Sequence, residues 1–158
     1  MRLIDLPKLC WHALKKIYNG ETKKMSRPNT PDELLQSPEI CVLSTVNPDG
    51  SVHAMPMWYL YEDDKIWFMT GSNSQKVKNV ERTGHATVTL DLREKPYYAI
   101  MIKGEAKVGE PIDRAMQKRV MTRYITESDA DNYIAKLESR GGNASIVVTP
   151  KKTIEFRS

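Results

Sequence analysis

Cysteine is scarce in this chain. Among 158 residues only Cys10 and Cys41 carry a thiol, too few for a disulfide framework and, without other ligands, for a structural zinc site. No apolar run approaches the roughly 18 residues a membrane span needs; the longest, residues 55–61 and 97–102, have the length of strands. A secretory leader is not expected, because Asp5, Lys8, Lys15 and Lys16 interrupt the apolar pattern near the N-terminus. These absences describe a soluble protein of a reducing cytoplasm. The common catalytic signatures are missing as well. There is no G-x-x-x-x-G-K, no G-x-G-x-x-G after a strand, no G-x-S-x-G and no H-E-x-x-H. The three histidines, His12, His53 and His85, fall on a helix and two different strands and read as separate rim or surface residues, so no metal site is expected. Catalytic residues are not identifiable from pattern alone.

Charge is present but unevenly placed. The net charge of +4 divides into seven Lys/Arg against two Asp/Glu in residues 1–30, and seventeen against eighteen in residues 31–158. The basicity belongs to an N-terminal arm, and the body is close to neutral. A nucleic-acid partner is therefore not expected. Within the arm, residues 3–17 place Leu6, Leu9, Cys10, Ala13, Leu14 and Ile17 at helical spacing with lysines interleaved. A polar linker follows at 21–29. So short a helix needs cover for its apolar stripe. Docking on the barrel or on a partner subunit is the expectation, in preference to a membrane surface.

From Thr30 the pattern changes. Thr30-Pro31-Asp32-Glu33 has the form of a helix start. Strands are then predicted at 41–46, 52–61, 65–70, 85–91, 97–108 and 144–149, the last continuing at 153–156 beyond Pro150. Short turns such as Asn47-Pro48-Asp49-Gly50 link them, which makes the strands antiparallel. Helices are predicted at 74–82, 111–124 and 129–137. The expectation is a mainly β fold with peripheral helices, a six-stranded antiparallel barrel. Residues 1–30 form its arm and 31–158 its domain.

One stretch has chemistry in it. The strand ending at Trp67-Phe68-Met69-Thr70 runs into Gly71-Ser72-Asn73-Ser74-Gln75-Lys76. Small residues allow close backbone approach, the following helix start carries partial positive charge, and Lys76 adds a full one. This suits an anion such as a cofactor phosphate. It equally suits a serine that merely caps a helix whose lysines are solvated.

Residues 41–108 resemble the flavin-binding split-barrel family, which includes pyridoxamine phosphate oxidase and related flavin- or deazaflavin-dependent reductases. The resemblance runs through a first strand, then "DGSVHAMPMWY", "IWFMTGSNSQKVKNVER" and a "GEA" strand. It implies an FMN-binding oxidoreductase acting on a small molecule, with a deazaflavin coenzyme as the alternative. A non-catalytic flavin or heme binder is a further alternative, with His53 or His85 as axial ligand. The resemblance implies a homodimer with the cofactor at the subunit interface. Met55, Pro56, Met57 and Trp58 would then lie along the ring, with Met69 and Thr70 on the ring or ribityl chain. Ser74, Gln75 and Lys76 match the family's Ser-Arg-Lys phosphate motif with Gln75 in place of Arg. Asn79 would support that loop, and Tyr97 and Tyr98 would come from the partner. The oxidase's own basic residues are replaced at Met55 and Leu60, and its later Gln at Ala99, so pyridoxamine phosphate oxidation itself is not expected.

Overall fold

The computed structural model describes residues 27–158. The predicted helix at 3–17 and most of the 21–29 linker lie outside them. Helix α1 (Pro31–Gln36) starts as its sequence dictates: Thr30 Oγ1 accepts from Glu33 N at 3.2 Å and Pro31 occupies the first turn. β1 (Cys41–Val46) and β2 (Val52–Met57) form a hairpin whose turn is closed by Gly50 N donating to Asn47 O at 3.0 Å. β3 (Leu60–Glu62) and β4 (Lys65–Gly71) form a second hairpin, in which Asp63 and Asp64 both take positive φ, at 52° and 55°. That handedness matches the twist of the flanking strands. Helix α2 (Gln75–Thr83) follows, then β5 (His85–Leu92), β6 (Tyr98–Gly109), α3 (Arg114–Thr122), α4 (Glu127–Arg140) and β7 (Asn143–Arg157).

All seven strands form one antiparallel sheet in the order β2-β1-β5-β6-β7-β4-β3. Its two edge strands, β2 and β3, are joined by Trp58 and Tyr59 alone. A two-residue link forces the edges together, so the sheet curls into a barrel whose seam is bridged by the chain rather than by a hydrogen-bond ladder. Among the described residues there are seven strands, not six, because the predicted strand at 52–61 breaks at this link. Tyr59 turns fully into the core and its hydroxyl donates to Leu35 O at 3.0 Å. Trp58 turns away from it and stacks on Tyr124, with centroids 5.1 Å apart and rings 4° from parallel.

Alternation does the rest. On β6, Tyr98, Ile100, Ile102 and Ala106 point inward, and with Leu43, Phe68 and Ile146 they fill the barrel. Two smaller clusters lie between β4 and the α3–α4 pair, which Trp58 and Met69 both join. β7 is one strand of 15 residues rather than two pieces. Pro150, which lacks an N–H, sits where the register against β6 shifts: Lys103 faces Lys152 while Gly104 faces Pro150, leaving Lys151 extra.

At that shift the backbones come close. A Cβ on Gly104 would lie 2.6 Å from both Thr149 O and Val148 Cγ1. Gly104→Ala therefore lowers unfolding free energy by about 1–3 kcal/mol through overpacking, measurable by urea denaturation. Gly84→Ala is strained for another reason, its φ of +68° at the end of α2.

Candidate functional site

The inward row of β2 is unlike that of β6. His53, Met55 and Met57 point to the barrel side yet remain only half-buried, while Val52, Ala54 and Pro56 on the other face are exposed. A sheet's inner row is left half-covered where nothing is stacked on it. Met57 still packs against the core; His53 and Met55 line the open stretch beyond it.

The N-terminus of α2 borders the same region. Ser74 is its N-cap residue, but its hydroxyl caps nothing. Instead Ser74 Oγ lies 3.1 Å from Thr70 Oγ1, which accepts from Lys76 Nζ at 3.3 Å. The backbone N–H groups of Gln75 and Lys76 donate to nothing among the described residues. Lys76 is half-buried and enters no ion pair among the described residues. Burial holds its ammonium below the ordinary lysine range. The capping account of this segment thus fails at Ser74, since the serine's oxygen is turned toward Thr70 and Lys76. Two hydroxyls, two free N–H groups and a desolvated cation converge as donors, the set an anionic oxygen cluster requires.

Asn79 holds this arrangement to the sheet. It is fully buried. Its Nδ2 donates to Thr45 Oγ1 at 3.0 Å and to Asn47 Oδ1 at 2.8 Å, and its Oδ1 accepts from Gln75 Nε2 at 2.9 Å. Gln75, which stands where the resembled motif has Arg, is thereby engaged with Asn79.

The other expected residues separate into two further places. Met69 alternates to the opposite face of β4 from Thr70 and packs with Trp58, Met121 and Tyr133 under α3 and α4. The Trp58 indole N–H is buried there without a partner among the described residues. Tyr97 and Tyr98 stand at the start of β6, whereas the end of α2 meets that strand eight residues on, where Ala106 N donates to Gly84 O at 2.8 Å. Tyr98 is buried, its hydroxyl donates to Glu155 Oε2 at 3.0 Å, and the Arg157 guanidinium lies 4.3 Å from its ring centroid. Tyr97 is exposed. Within one chain, then, Thr70, Ser74, Gln75, Lys76 and Asn79 gather at the start of α2, Met55 and Met57 share the inward row of β2 with His53, Trp58 and Met69 lie under α3 and α4, and Tyr97 and Tyr98 stand apart from all of these; Pro56 faces outward. Sequence reasoning did not place Thr45 or Asn47 against Asn79, and it offered His53 only as an axial ligand in the heme alternative. The alternation of β2 carried the signal for His53, which shares a face with Met55 and Met57. Cys41 is fully buried and its thiol is pushed up by that burial, so it packs and does not react. No group of His, Cys, Asp and Glu among the described residues is arranged to hold a metal.

Compared with known proteins, residues 30–156 match the model of the pyridoxamine 5'-phosphate oxidase family. The chain belongs to that family. Its members share a flavin-binding split-barrel fold, and the seam and half-covered inner row described above are this chain's version of it. Among solved structures it is similar to an F420 reductase, with 22% identity over 80% of this chain and 98% of the other at a TM-score of 0.65. It is also similar to a conserved hypothetical protein of Mycobacterium tuberculosis, with 21% identity over 86% and 90% at 0.64. A FAD-binding protein of Mesorhizobium loti matches at 13% identity over 80% and 91%, with a TM-score of 0.56. At these identities the likeness shows the fold. No curated protein matches the chain. No helix among the described residues is long and apolar enough to cross a membrane.

Asn79→Ala deletes three hydrogen bonds at a buried site and leaves Thr45 and Asn47 acceptors and the Gln75 amide unmatched. Chemical denaturation is expected to show a loss of about 1–3 kcal/mol. Gln75→Ala, on the exposed side of the same bond, stays within about 0.5 kcal/mol of wild type.

Proposed function

We propose that this protein is an FMN-dependent oxidoreductase acting on a small organic molecule, in the cytoplasm, as a homodimer. The observation that carries the reading is the donor set around Lys76: among the described residues, a half-buried ammonium without an ion pair, N–H groups of Gln75 and Lys76 that donate to nothing, and the Thr70 and Ser74 hydroxyls, beside the half-covered row of β2. That set fits the phosphate of a flavin mononucleotide, and the apolar Met55 and Met57 fit a ring laid against the strand. When bound, the flavin ring supplies hydride transfer. The chain's own work is binding and orientation. Lys76 and the start of α2 hold the anionic end, the β2 row restricts the ring, and Asn79 keeps α2 in register with the β1–β2 hairpin. No general base is needed from the protein for such chemistry, which suits a site without a catalytic dyad.

A second reading, reduction by a deazaflavin coenzyme, is favoured by one observation. Gln75 turns its amide to Asn79 and supplies no guanidinium, so among the described residues Lys76 is the permanent cation of the phosphate region. A coenzyme that is held loosely and exchanges is compatible with that, and the likeness to an F420 reductase points the same way.

Support for the dimer comes from the outer face. Val46, Val52, Met101, Ile154 and Phe156 are exposed, Phe156 by 60%. Met101 pairs with Ile154 across the ladder and Ala99 with Phe156. An apolar strip of this kind is covered economically by a second copy about a two-fold axis.

The purified protein is expected to show the absorbance bands of oxidised flavin, or to acquire them with added FMN. A colourless protein that ignores FMN and binds a deazaflavin coenzyme establishes the second reading instead. Lys76→Ala weakens FMN binding by about 1.5–3 kcal/mol and leaves the melting temperature of the cofactor-free protein unchanged; equal FMN affinity in both proteins overturns the phosphate assignment. Sedimentation at micromolar concentration is expected to give twice the 18.1 kDa chain mass, and Met101→Glu to shift it toward the monomer. A wild-type monomer that retains cofactor disposes of the dimer.

A further inference from the structure

His53 is the one titratable residue in the inward row of β2. It pairs with Thr45 of β1, and Thr45 Oγ1 is the atom that receives Asn79 Nδ2 from α2. Lys76 stands three residues before Asn79 on that helix, hence on the same helical face. His53 and Lys76 thus border the same polar cluster, near enough for the Lys76 charge to act on the imidazole. Neither has a carboxylate partner among the described residues, and the His53 ring makes no hydrogen bond there. The surroundings of His53 contain little else that is charged. β1 presents Thr45, and α2 presents Lys76 and Asn79. Asp49 in the hairpin is occupied by Ser51, with N at 3.0 Å and Oγ at 2.6 Å. Arg82 is occupied by the Val46 carbonyl. Burial, and then the Lys76 charge, hold the His53 imidazolium below its ordinary range.

Two basic groups facing one partly dry region without a carboxylate is an unfavourable arrangement unless an anion joins them. The geometry points to His53 as a second, conditional cation of the phosphate site, taking up a proton as a phosphate monoester binds between it and Lys76. This deepens the flavin-phosphate reading and rests on it. It supplies, from across the slot, the charge that Gln75 does not. The sign follows from linkage. An anion stabilises the imidazolium, so binding takes up a proton, and affinity for the phosphate rises as pH falls through the range where His53 titrates.

The test compares FMN binding by wild type and His53→Gln between about pH 5.5 and about pH 8, the window in which a histidine changes charge, with riboflavin as the phosphate-free control. Dividing one protein's affinity by the other's cancels the titration of the FMN phosphate itself. The wild-type-to-variant ratio for FMN is expected to grow by roughly three- to ten-fold toward the acid end and to approach one at the alkaline end, while the riboflavin ratio stays flat. A second readout needs no variant: the NMR titration midpoint of the His53 ring is expected to rise when inorganic phosphate is added. FMN binding with a flat ratio and an unmoved His53 midpoint overturns this inference alone. A ratio that changes equally for riboflavin also overturns it, since His53 would then act on the ring. Wild-type protein that binds neither FMN nor phosphate removes the flavin-phosphate reading and this inference together.

Discussion

The structure turns on the step from Trp58 to Tyr59. Two residues connect the two edges of a seven-stranded sheet, so the barrel closes through the chain and not through paired backbone. Such a seam leaves the facing strand edges short of ladder partners, and side chains have to hold them. Tyr59 is the inner anchor, fully buried with its hydroxyl on the carbonyl of Leu35. Tyr124 is the outer one: it receives Tyr59 N on its hydroxyl at 3.4 Å and stacks on Trp58. Arg123 joins them. Its guanidinium lies over the Tyr59 ring at 4.8 Å and donates to Leu35 O and Ser37 O at 3.0 and 2.6 Å. Cation, aromatic rings and the carbonyl end of α1 meet in a single knot, with the positive charge at the negative end of a helix, although the Arg123 Nε–H and the Trp58 indole N–H find no partner among the described residues. The α3–α4 pair is therefore part of the closure, because its Tyr124 and Arg123 fasten the seam.

A barrel closed in this way is tight at one side of the seam and open at the other. Beyond Met57 the core is packed. Before it, His53 and Met55 are half-covered, and α2 brings a helix start to the same place. The polar groups there are held by a chain of contacts that crosses from β1 through Asn79 to Gln75, and from β4 through Thr70 to Ser74 and Lys76. A buried amide with three partners fixes the position of a helix more narrowly than apolar packing by Val77 and Val80 alone, since a slip of one residue would strand donors in the core. The site's precision comes from that amide, and its charge from Lys76.

Most of the fold was legible because it depends on alternation. The rows Cys41-Leu43-Thr45 and Ile100-Ile102 have a period of two that survives any detail of the turns, and Val77 with Val80 marks the buried side of α2. The break at Trp58-Tyr59 was not legible, because an apolar run continues straight through it and only contacts with Tyr124 and Leu35, distant in sequence, divide it. Pro150 reads as an interruption, yet β7 runs through it, since the missing N–H falls on the bulge opposite Gly104. In the site, the Gly71–Lys76 segment announced itself by composition. The role of Asn79 as a tie to the β1–β2 hairpin is a tertiary fact, as is the separation of Met69 from Thr70, although the period of a strand already implies that neighbours point apart.

The charge inventory of the site links these levels. A phosphate held by a guanidinium and an ammonium gains two charge-assisted contacts, each contributing about 1.5–3 kcal/mol. Here Gln75 is committed to Asn79, so on the proposed FMN reading position 75 makes no such contact, which would cost about ten-fold in affinity for each 1.4 kcal/mol forgone. Restoring an arginine at position 75 would not simply recover it, because the same side chain position now satisfies a buried amide. On the proposed reading, the residue that ties α2 to the sheet through Asn79 is the one that would otherwise lend the phosphate a second cation. On the proposed reading, a protein built this way would hold its cofactor by the inward row of β2 and by the Lys76 charge, and His53 would be the group through which solution conditions reach the site.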